Sequence, residues 1–418
     1  MTKKVHTGLW WIPSADSERK PGSLIIEDKV KLRIIGEVIT RDERQSVHPI
    51  SLMNGSTDEE ALVTLVDLKY AGSGSRNPGL DYSDRVPSLV LLGDLYPDTD
   101  SLVFDHLRVS FDYLDEWLCG NYFQGDLLDE DGLRHEPAIN LSVALKTLGA
   151  KIDFDYTVSN HVERSRITAQ HDSYLRISPT RPEPFDWFEN VIVQLERFLS
   201  LCLGVPVRRR NIHTRRFLRD VSILQGNQLA PPLHRAPLMH PPIVYPMIQI
   251  SFEDILNDWF DKEPVFKEIF AIFQNSIANR AVEVPARFLS SVQVLEVYHR
   301  AKKGPKFVLV ERLRELVTDL TQNEKEILTN DNNQFMQLVA NTRNFLMHLN
   351  FHGNKFDSSD LPYATEILRT LVTMWLYREI GIPPVDVATR IKQHPEFVKN
   401  LDLNRLQLFS SGQASITT

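Results

Sequence analysis

Polar and apolar positions change their period along the chain, and those changes divide it. In "GSLIIEDKVKLRIIGEV" apolar residues alternate with Lys29, Lys31 and Arg33, the period of two that marks a half-buried strand. "ALVTLVDLKYAG" is a second run of Leu and Val punctuated by turn formers. "VPSLVLLGDLYP", "LVFDHLRVSFDYL", "INLSVALKT" and "AKIDFDYTVSN" continue the short-strand rhythm between residues 85 and 160. Short strands at this spacing predict an antiparallel sandwich or barrel. Near Pro182 the period becomes helical: Phe188, Val191, Ile192, Leu195, Phe198, Leu199 and Cys202 share one face, and Gly204 ends the run.

The connector "LAPPLHRAPLMHPPIVYP" follows, too rich in proline for regular elements. Beyond about residue 250 the pattern is helical. "SFEDILNDWF" opens with a Ser-x-x-Asp capping signal, and Pro264, Pro285 and Pro362 stand where first helical turns accept proline. Gly381 is a fitting stop. The expected architecture is a multidomain α+β chain. It places a β-rich, sandwich- or barrel-like domain over 1–181, a helix with a basic and Pro-rich connector over 182–250, a bundle of about five helices over 251–395, and a small polar tail over 396–418.

Composition adds limits. The chain has 418 residues, 42% of them hydrophobic and 24% charged, which suits two or three globular domains. Its formal charge of -8 disfavours general attraction to nucleic acid and confines any RNA contact to a local basic site. Two cysteines, Cys119 and Cys202, cannot build a disulfide framework, which fits a reducing compartment. No apolar run reaches the ~18 residues of a membrane span, and "MTKKVHTGLWWIPSADSERK" lacks an apolar signal core, so a soluble cytoplasmic protein is expected.

The candidate chemistry lies in "LVANTRNFLMHLN", residues 338–350. At 3.6 residues per turn Asn344 and His348 share a face, and the long side chain of Arg343 reaches its edge. Imidazole can exchange a proton with a ribose hydroxyl or a leaving oxygen, and guanidinium can hold a phosphate and stabilise added negative charge. Asn344 could orient His348 or the substrate. Such spacing also occurs on ordinary solvated helices. Here, however, Arg343 is the only charged residue from Gln334 to Leu349, so the helix is expected to be buried or to sit in an interface. In "SVQVLEVYHRAK", Glu296, His299 and Arg300 lie one turn apart; they read either as a surface ion pair or as the lining of the same cleft, with Glu296 setting the pose of Arg343.

"RNFLMH" resembles the Arg, polar residue, then His motif of HEPN domains, and its place on a late helix is similar to theirs. "GLWWIP", "PGSLIIEDKVKLRIIGEV", "LVTLVDLK" and "FDYLDEWL" resemble the opening of the ApeA family, in which an N-terminal domain precedes a HEPN domain much like "RFLSSVQVLEVYHR" leading to "NTRNFLMH". The resemblance covers most of the chain. It implies a metal-independent endoribonuclease of abortive-infection defence against phage, with Arg343 and His348 at the catalytic positions and Asn344 at the polar one. It also implies a homodimer whose motif helices face each other, RNA as substrate (tRNA being one candidate), a phage-derived trigger, and an N-terminal domain that senses or restrains. Some HEPN domains are instead non-catalytic interaction, dimerisation or nucleotide-binding modules. No cofactor, DNA or membrane partner is implied.

Other constellations are weaker. "VRRRNIHTRRFLRD" is dense in arginine; Arg208, Arg209, Arg210, Arg215 and Arg216 could grip an RNA backbone, or lie on a solvated strand or loop, or form a seam against an acidic domain. His135, His161 and His171 fall among expected loops without metal-ligand spacing, so no metal is expected. "GSGSRNPG" lacks the Gly-Lys-Ser/Thr ending of a phosphate loop and reads as a mobile loop. Trp10 and Trp11 read as core or edge packing, with stacking on a sugar or base as the alternative.

Overall fold

Strand alternation closes on itself at the start of the chain. The computed structural model describes residues 3–13, 18–36, 50–58, 61–75, 81–119, 123–124, 134–135, 139, 141–163, 166–225, 241–278, 283–328, 332–348, 353–382, 388–389 and 391. Strands β1 (Lys4–Trp11), β2 (Lys20–Ile26), β3 (Val30–Ile35), β4 (Ile50–Thr57), β5 (Leu62–Ser75) and β6 (Asp81–Val86) follow one another round a ring in the order β5-β4-β1-β2-β3-β6, and β6 pairs back onto β5. Every pairing is antiparallel. The result is a six-stranded barrel, filled by inward side chains that include Trp10, Leu24, Leu32, Ile34, Met53, Val63 and Leu65. Trp10 fits because Gly55 faces it: a Cβ there would lie 2.4 Å from the indole. Trp11 instead lies half-buried, with the Arg19 guanidinium 4.5 Å from its ring centroid.

β5 is long enough to serve two sheets. Its Lys69–Ser75 portion closes the barrel on β6, while Val63–Val66 pairs with β7 (Leu89–Leu92). The chain continues through β8 (Val103–Phe104), β9 (Leu107–Phe111), α1 (Leu114–Leu118), the β10–β11 pair (Phe123–Gln124 and Arg134–His135), β12 (Ser142–Leu145), β13 (Ala150–Glu163), β14 (Arg166–Pro179), β15 (Glu183–Pro184), α2 (Phe185–Leu203), β16 (Arg209–Arg216) and β17 (Arg219–Gln225). From β5 the sheet runs outward as β7-β17-β16-β9-β14-β13-β12. Helix α2 buries the seven residues its periodicity predicts, and at Gly204 (φ 68°) the cap N–H donates to the Ser200 carbonyl at 3.0 Å.

Three expectations change here. The basic half of the expected connector forms β16 and β17, interior strands of the sheet, because Ile212 and Thr214 alternate inward at 5% and 2% exposure while the arginines flank them. "GSGS" is the end of β5 rather than a loop; residues 76–80 and the Pro-rich stretch 226–240 lie outside the described residues. His135, His161 and His171 stand on strands β11, β13 and β14.

The helical part comprises α3 (Tyr245–Ile248), a 3₁₀ turn (Gln249–Ser251), α4 (Phe252–Ala278), α5 (Val284–Lys303), α6 (Leu309–Thr318), α7 (Gln322–Leu328), α8 (Asn332–His348) and α9 (Leu361–Glu379). Pro285 and Pro362 occupy first turns as expected, and Gly381 follows α9 at φ 79°. Where two helices are expected around Pro264, α4 is one. Phe252, Trp259, Phe266 and Phe273 recur every seven residues and are all buried, so a single apolar stripe spans the proline and tertiary burial outweighs its local cost. The expected tail, 396–418, lies outside the described residues.

The boundary near residue 250 does not separate the cores. One apolar cluster runs from the sheet through α2 into α4, α5, α8 and α9. The buried Tyr377 hydroxyl of α9 donates to the Leu201 carbonyl at 2.8 Å, and Asn257 Nδ2 of α4 donates to the Ala144 carbonyl of β12 at 2.8 Å. Cys119 is exposed and Cys202 buried, and no helix among the described residues is long and apolar enough to cross a membrane.

Candidate functional site

Helix α8 begins in the core and ends in the open. Phe335, Met336, Leu338, Val339, Ala340 and Thr342 are buried, Arg343 to Leu346 are half-buried, and Met347 and His348 are exposed. The helix therefore buries one face in the core over its first three turns, and its polar trio lies toward the end that leaves the core. The following segment braces that end. Thr342 Oγ1 accepts the Phe356 N–H at 2.9 Å, and Asn341 Nδ2 donates to the Asn354 carbonyl at 2.8 Å. Lys355 then places its ammonium 4.6 Å from the Phe345 ring centroid, near the turn of His348.

Arg343 of the trio is held from one side by α5. Arg343 Nη1 donates to Asn344 Oδ1 at 3.2 Å, and Arg343 Nη2 lies 3.9 Å from Glu296 Oε2. The other carboxylate oxygen of Glu296 accepts from Arg300 Nη2 at 3.0 Å. Glu296 thus bridges two guanidinium groups, one of them on α8, and joins the site while pairing along its own helix. The Arg343 side chain remains 31% exposed and that of Arg300 52%, so an incoming phosphate can reach both. His348 has no hydrogen-bond partner among the described residues. Arg343 and Arg300 meet at the carboxylate of Glu296, and Lys355 adds a third cation near this turn.

His299 departs from the expected cleft. It is 1% exposed, with Nε2 2.8 Å from Glu315 Oε2 of α6 and its ring edge-on to Phe307 at 5.3 Å. One position round the helix from Arg300 is enough to turn it into the bundle. Its neighbour Tyr298 is likewise structural: its hydroxyl donates to Glu379 Oε1 at 2.6 Å, and burial together with that carboxylate raises its pKa far above the usual phenol range. Lys355 and the Asn341 and Thr342 braces were not singled out in the sequence. The only signal was the polar run "HGNKFD" directly after the motif helix.

The basic run is dispersed by its strands. Arg209 is 11% exposed and bonded to Glu196 and Glu189; Arg210 donates to Asp112 at 2.8 Å; Arg216 donates to Asp94 at 3.0 Å and stacks 4.4 Å from the Tyr96 ring centroid. These contacts make the seam against acidic neighbours. Arg208 and Arg215 are exposed. Among the described residues no group of three or more His, Cys, Asp or Glu is arranged to hold a metal ion.

Residues 5–259 match the family model for ApeA N-terminal domain 1, and residues 289–385, which contain α8 and its trio, match the Apea-like HEPN model. The chain belongs to the ApeA family. The first match spans the barrel, the extended sheet and the start of α4, so the family's N-terminal domain includes the strands that the sequence suggested were a connector. The HEPN match begins inside α5 and ends just beyond α9, which makes the α5–α8 contact at Glu296 internal to the HEPN domain. ApeA membership with a HEPN domain implies a nuclease-like role in defence against phage. No curated protein and no solved structure matches the chain.

Proposed function

We propose that this ApeA-family chain is an endoribonuclease that cuts RNA at the open last turn of α8 without a metal ion and acts in abortive infection. The observation that carries this reading is the reachable trio: Arg343 half-buried and braced by Asn344 and Glu296, with His348 exposed at the end of the same helix. Cleavage starts when a ribose 2′-hydroxyl attacks the adjacent phosphate. One imidazole removes the hydroxyl proton, the phosphorane gains negative charge against the Arg343 guanidinium, and a proton is returned to the departing 5′-oxygen. A single His348 cannot hold both proton positions at once. A second copy of the chain, facing the first across this turn, supplies another His348 and Arg343. Met347, 54% exposed beside half-buried Phe345 and Leu346, gives that dimer an apolar contact at the right end of the helix. The barrel and sheet then sense a phage-derived signal or restrain the nuclease.

The test is incubation of purified full-length protein with total cellular RNA in EDTA, with and without infected-cell extract, beside Arg343→Ala and His348→Ala. Wild-type cleavage reduced about 10²-fold or more in each variant is expected. Equal cleavage by all three proteins, or none under either condition, overturns the reading. A non-catalytic HEPN module is the second reading, favoured by the bonds that already satisfy Arg343 within the chain. It predicts dimerisation with no cleavage.

A further inference from the structure

Among the described residues, Arg85 is a buried cation with no counter-ion. It lies on β6 directly opposite Leu32 of β3, and Leu32 is fully buried in the barrel, so the register turns Arg85 to the barrel's inner face. The residue is 7% exposed, its Nε is sealed from solvent without a partner, and no hydrogen bond or ion pair reaches it among the described residues. Two positions earlier on the same face, opposite Ile34, the Ser83 Oγ is also buried and without a partner.

The neighbouring groups do not relieve it. Asp84 is on the outward face, where Arg33 Nε holds it at 2.8 Å and Lys31 pairs with it as well. Tyr70, opposite Arg85 on β5, donates its hydroxyl to Ser73 Oγ at 2.7 Å. Lys31 and Arg33 thus share Asp84 on the outer face, and neither pair reaches Arg85 on the inner one. A guanidinium keeps its proton at neutral pH, and leaving one unpaired in an apolar wall is among the costlier arrangements in a fold. The buried cluster inside the barrel is apolar, Trp10 and Met53 among its Leu, Ile and Val, and would be satisfied by an apolar side chain at this position.

We propose that Arg85 and Ser83 form a binding site for a small oxyanion, a phosphate or carboxylate group received at the β3–β6 wall of the barrel. The planar guanidinium offers paired N–H donors matched to two oxygens of such a group, and the Ser83 hydroxyl offers a third. The ligand supplies the charge that the described residues do not, and binding tightens the barrel of the ApeA N-terminal domain.

The experiment is thermal unfolding of the full chain at constant ionic strength, with inorganic phosphate, AMP or acetate as the probe, and calorimetric titration of the same three probes. The expected result is a saturable Tm rise of about 2 °C or more with at least one probe. Phosphate and AMP against acetate decide which oxyanion is taken. Arg85→Met is expected to abolish the saturable response and to unfold, without probe, at or above the wild-type temperature. Arg85→Lys, which keeps the charge and loses the fork, covers the case in which Arg85→Met does not fold, and it should bind the active probe about tenfold more weakly. A parallel rise in wild type and variant is a general salt effect and overturns the site. So does the absence of a response to all three probes, or a marked fall in stability of Arg85→Met without probe, since the charge would then be met within the chain. Unfolding and heat are read here rather than RNA cleavage, so the outcome is separable from the α8 reading.

Discussion

Glu296 and Arg343 face each other across the α5–α8 contact at 3.9 Å, while Glu296 also receives Arg300 at 3.0 Å. A 3.9 Å pair between partly exposed side chains contributes under about 1 kcal/mol to stability. Its larger effect is to limit where the guanidinium points. Glu296→Gln should therefore leave the Tm nearly unchanged and lower kcat on RNA about tenfold, equivalent to about 1.4 kcal/mol in the barrier, with little change in KM. Glu296→Asp should recover part of the loss. An unchanged kcat in Glu296→Gln would show that Arg343 is positioned without α5.

How much of this was legible follows from the range of each interaction. The α2 face, the caps at Pro285, Pro362 and Gly204, and the strand content of the first part are local patterns, and the structure has them where the periodicity puts them. Barrel closure depends on β6 meeting both β3 and β5, a pairing between segments far apart in sequence, so either a sandwich or a barrel satisfied the local signal. The run "RRNIHTRR" was read by its charge, although Ile212 and Thr214 at alternate positions carried the strand signal. At the site, the helix and its trio were visible from spacing. The direction in which His299 points was not, because one residue of rotation separates the α8 contact from the bundle core.

Arg209 separates fold from RNA contact within the basic run. Its backbone N–H and Nε donate to Glu196 Oε1 at 2.7 and 2.9 Å, its Nη2 donates to Glu196 Oε2 at 2.9 Å, and Glu189 takes its Nη1. Arg209→Ala leaves two half-buried carboxylates without their cation and should cost about 3–5 kcal/mol in urea unfolding. Arg208→Ala and Arg215→Ala, on exposed side chains, should stay within about 0.5 kcal/mol. If those two touch RNA, the double variant lowers the slope of log affinity against log salt by about 0.7 per lost contact. A fold indifferent to Arg209→Ala would contradict the seam.

His213 and His106 make the sheet acid-sensitive. Burial holds both imidazoles below the ordinary value, reinforced for His213 by Arg108 and for His106 by Arg176 and Arg108, against partial compensation by nearby aspartates. With the folded pKa below an unfolded value of about 6.5, both states are neutral above that pH. As pH falls through it, the unfolded chain binds protons that the native sheet refuses, so stability declines until the folded pKa is passed. The urea midpoint should be lower at pH 5.5 than at pH 7.5, and the difference should shrink in His106→Gln/His213→Gln. An unchanged difference would place the sensitivity elsewhere.

Phe217 and Leu218 form the two-residue turn between β16 and β17, closed by the Arg216–Arg219 pair. Both have positive φ, 47° and 69°, and both are 83% exposed. A tight hairpin of this kind favours Asn-Gly, whereas a bulky side chain in the left-handed region costs about 1–2 kcal/mol. Turn geometry and burial both argue against Phe-Leu here. Offsetting this is the Arg216 guanidinium 5.0 Å from the Phe217 ring centroid. Phe217→Asn/Leu218→Gly should therefore raise stability by about 1–3 kcal/mol in chemical unfolding, with an unchanged circular dichroism spectrum. A gain of that size would mean that the native dipeptide works against the turn, and would make this arginine-flanked tip the first surface to probe for contact with a macromolecule. A loss of stability would instead show that Phe217 supports the hairpin through Arg216, and the tip would need no external partner to account for it.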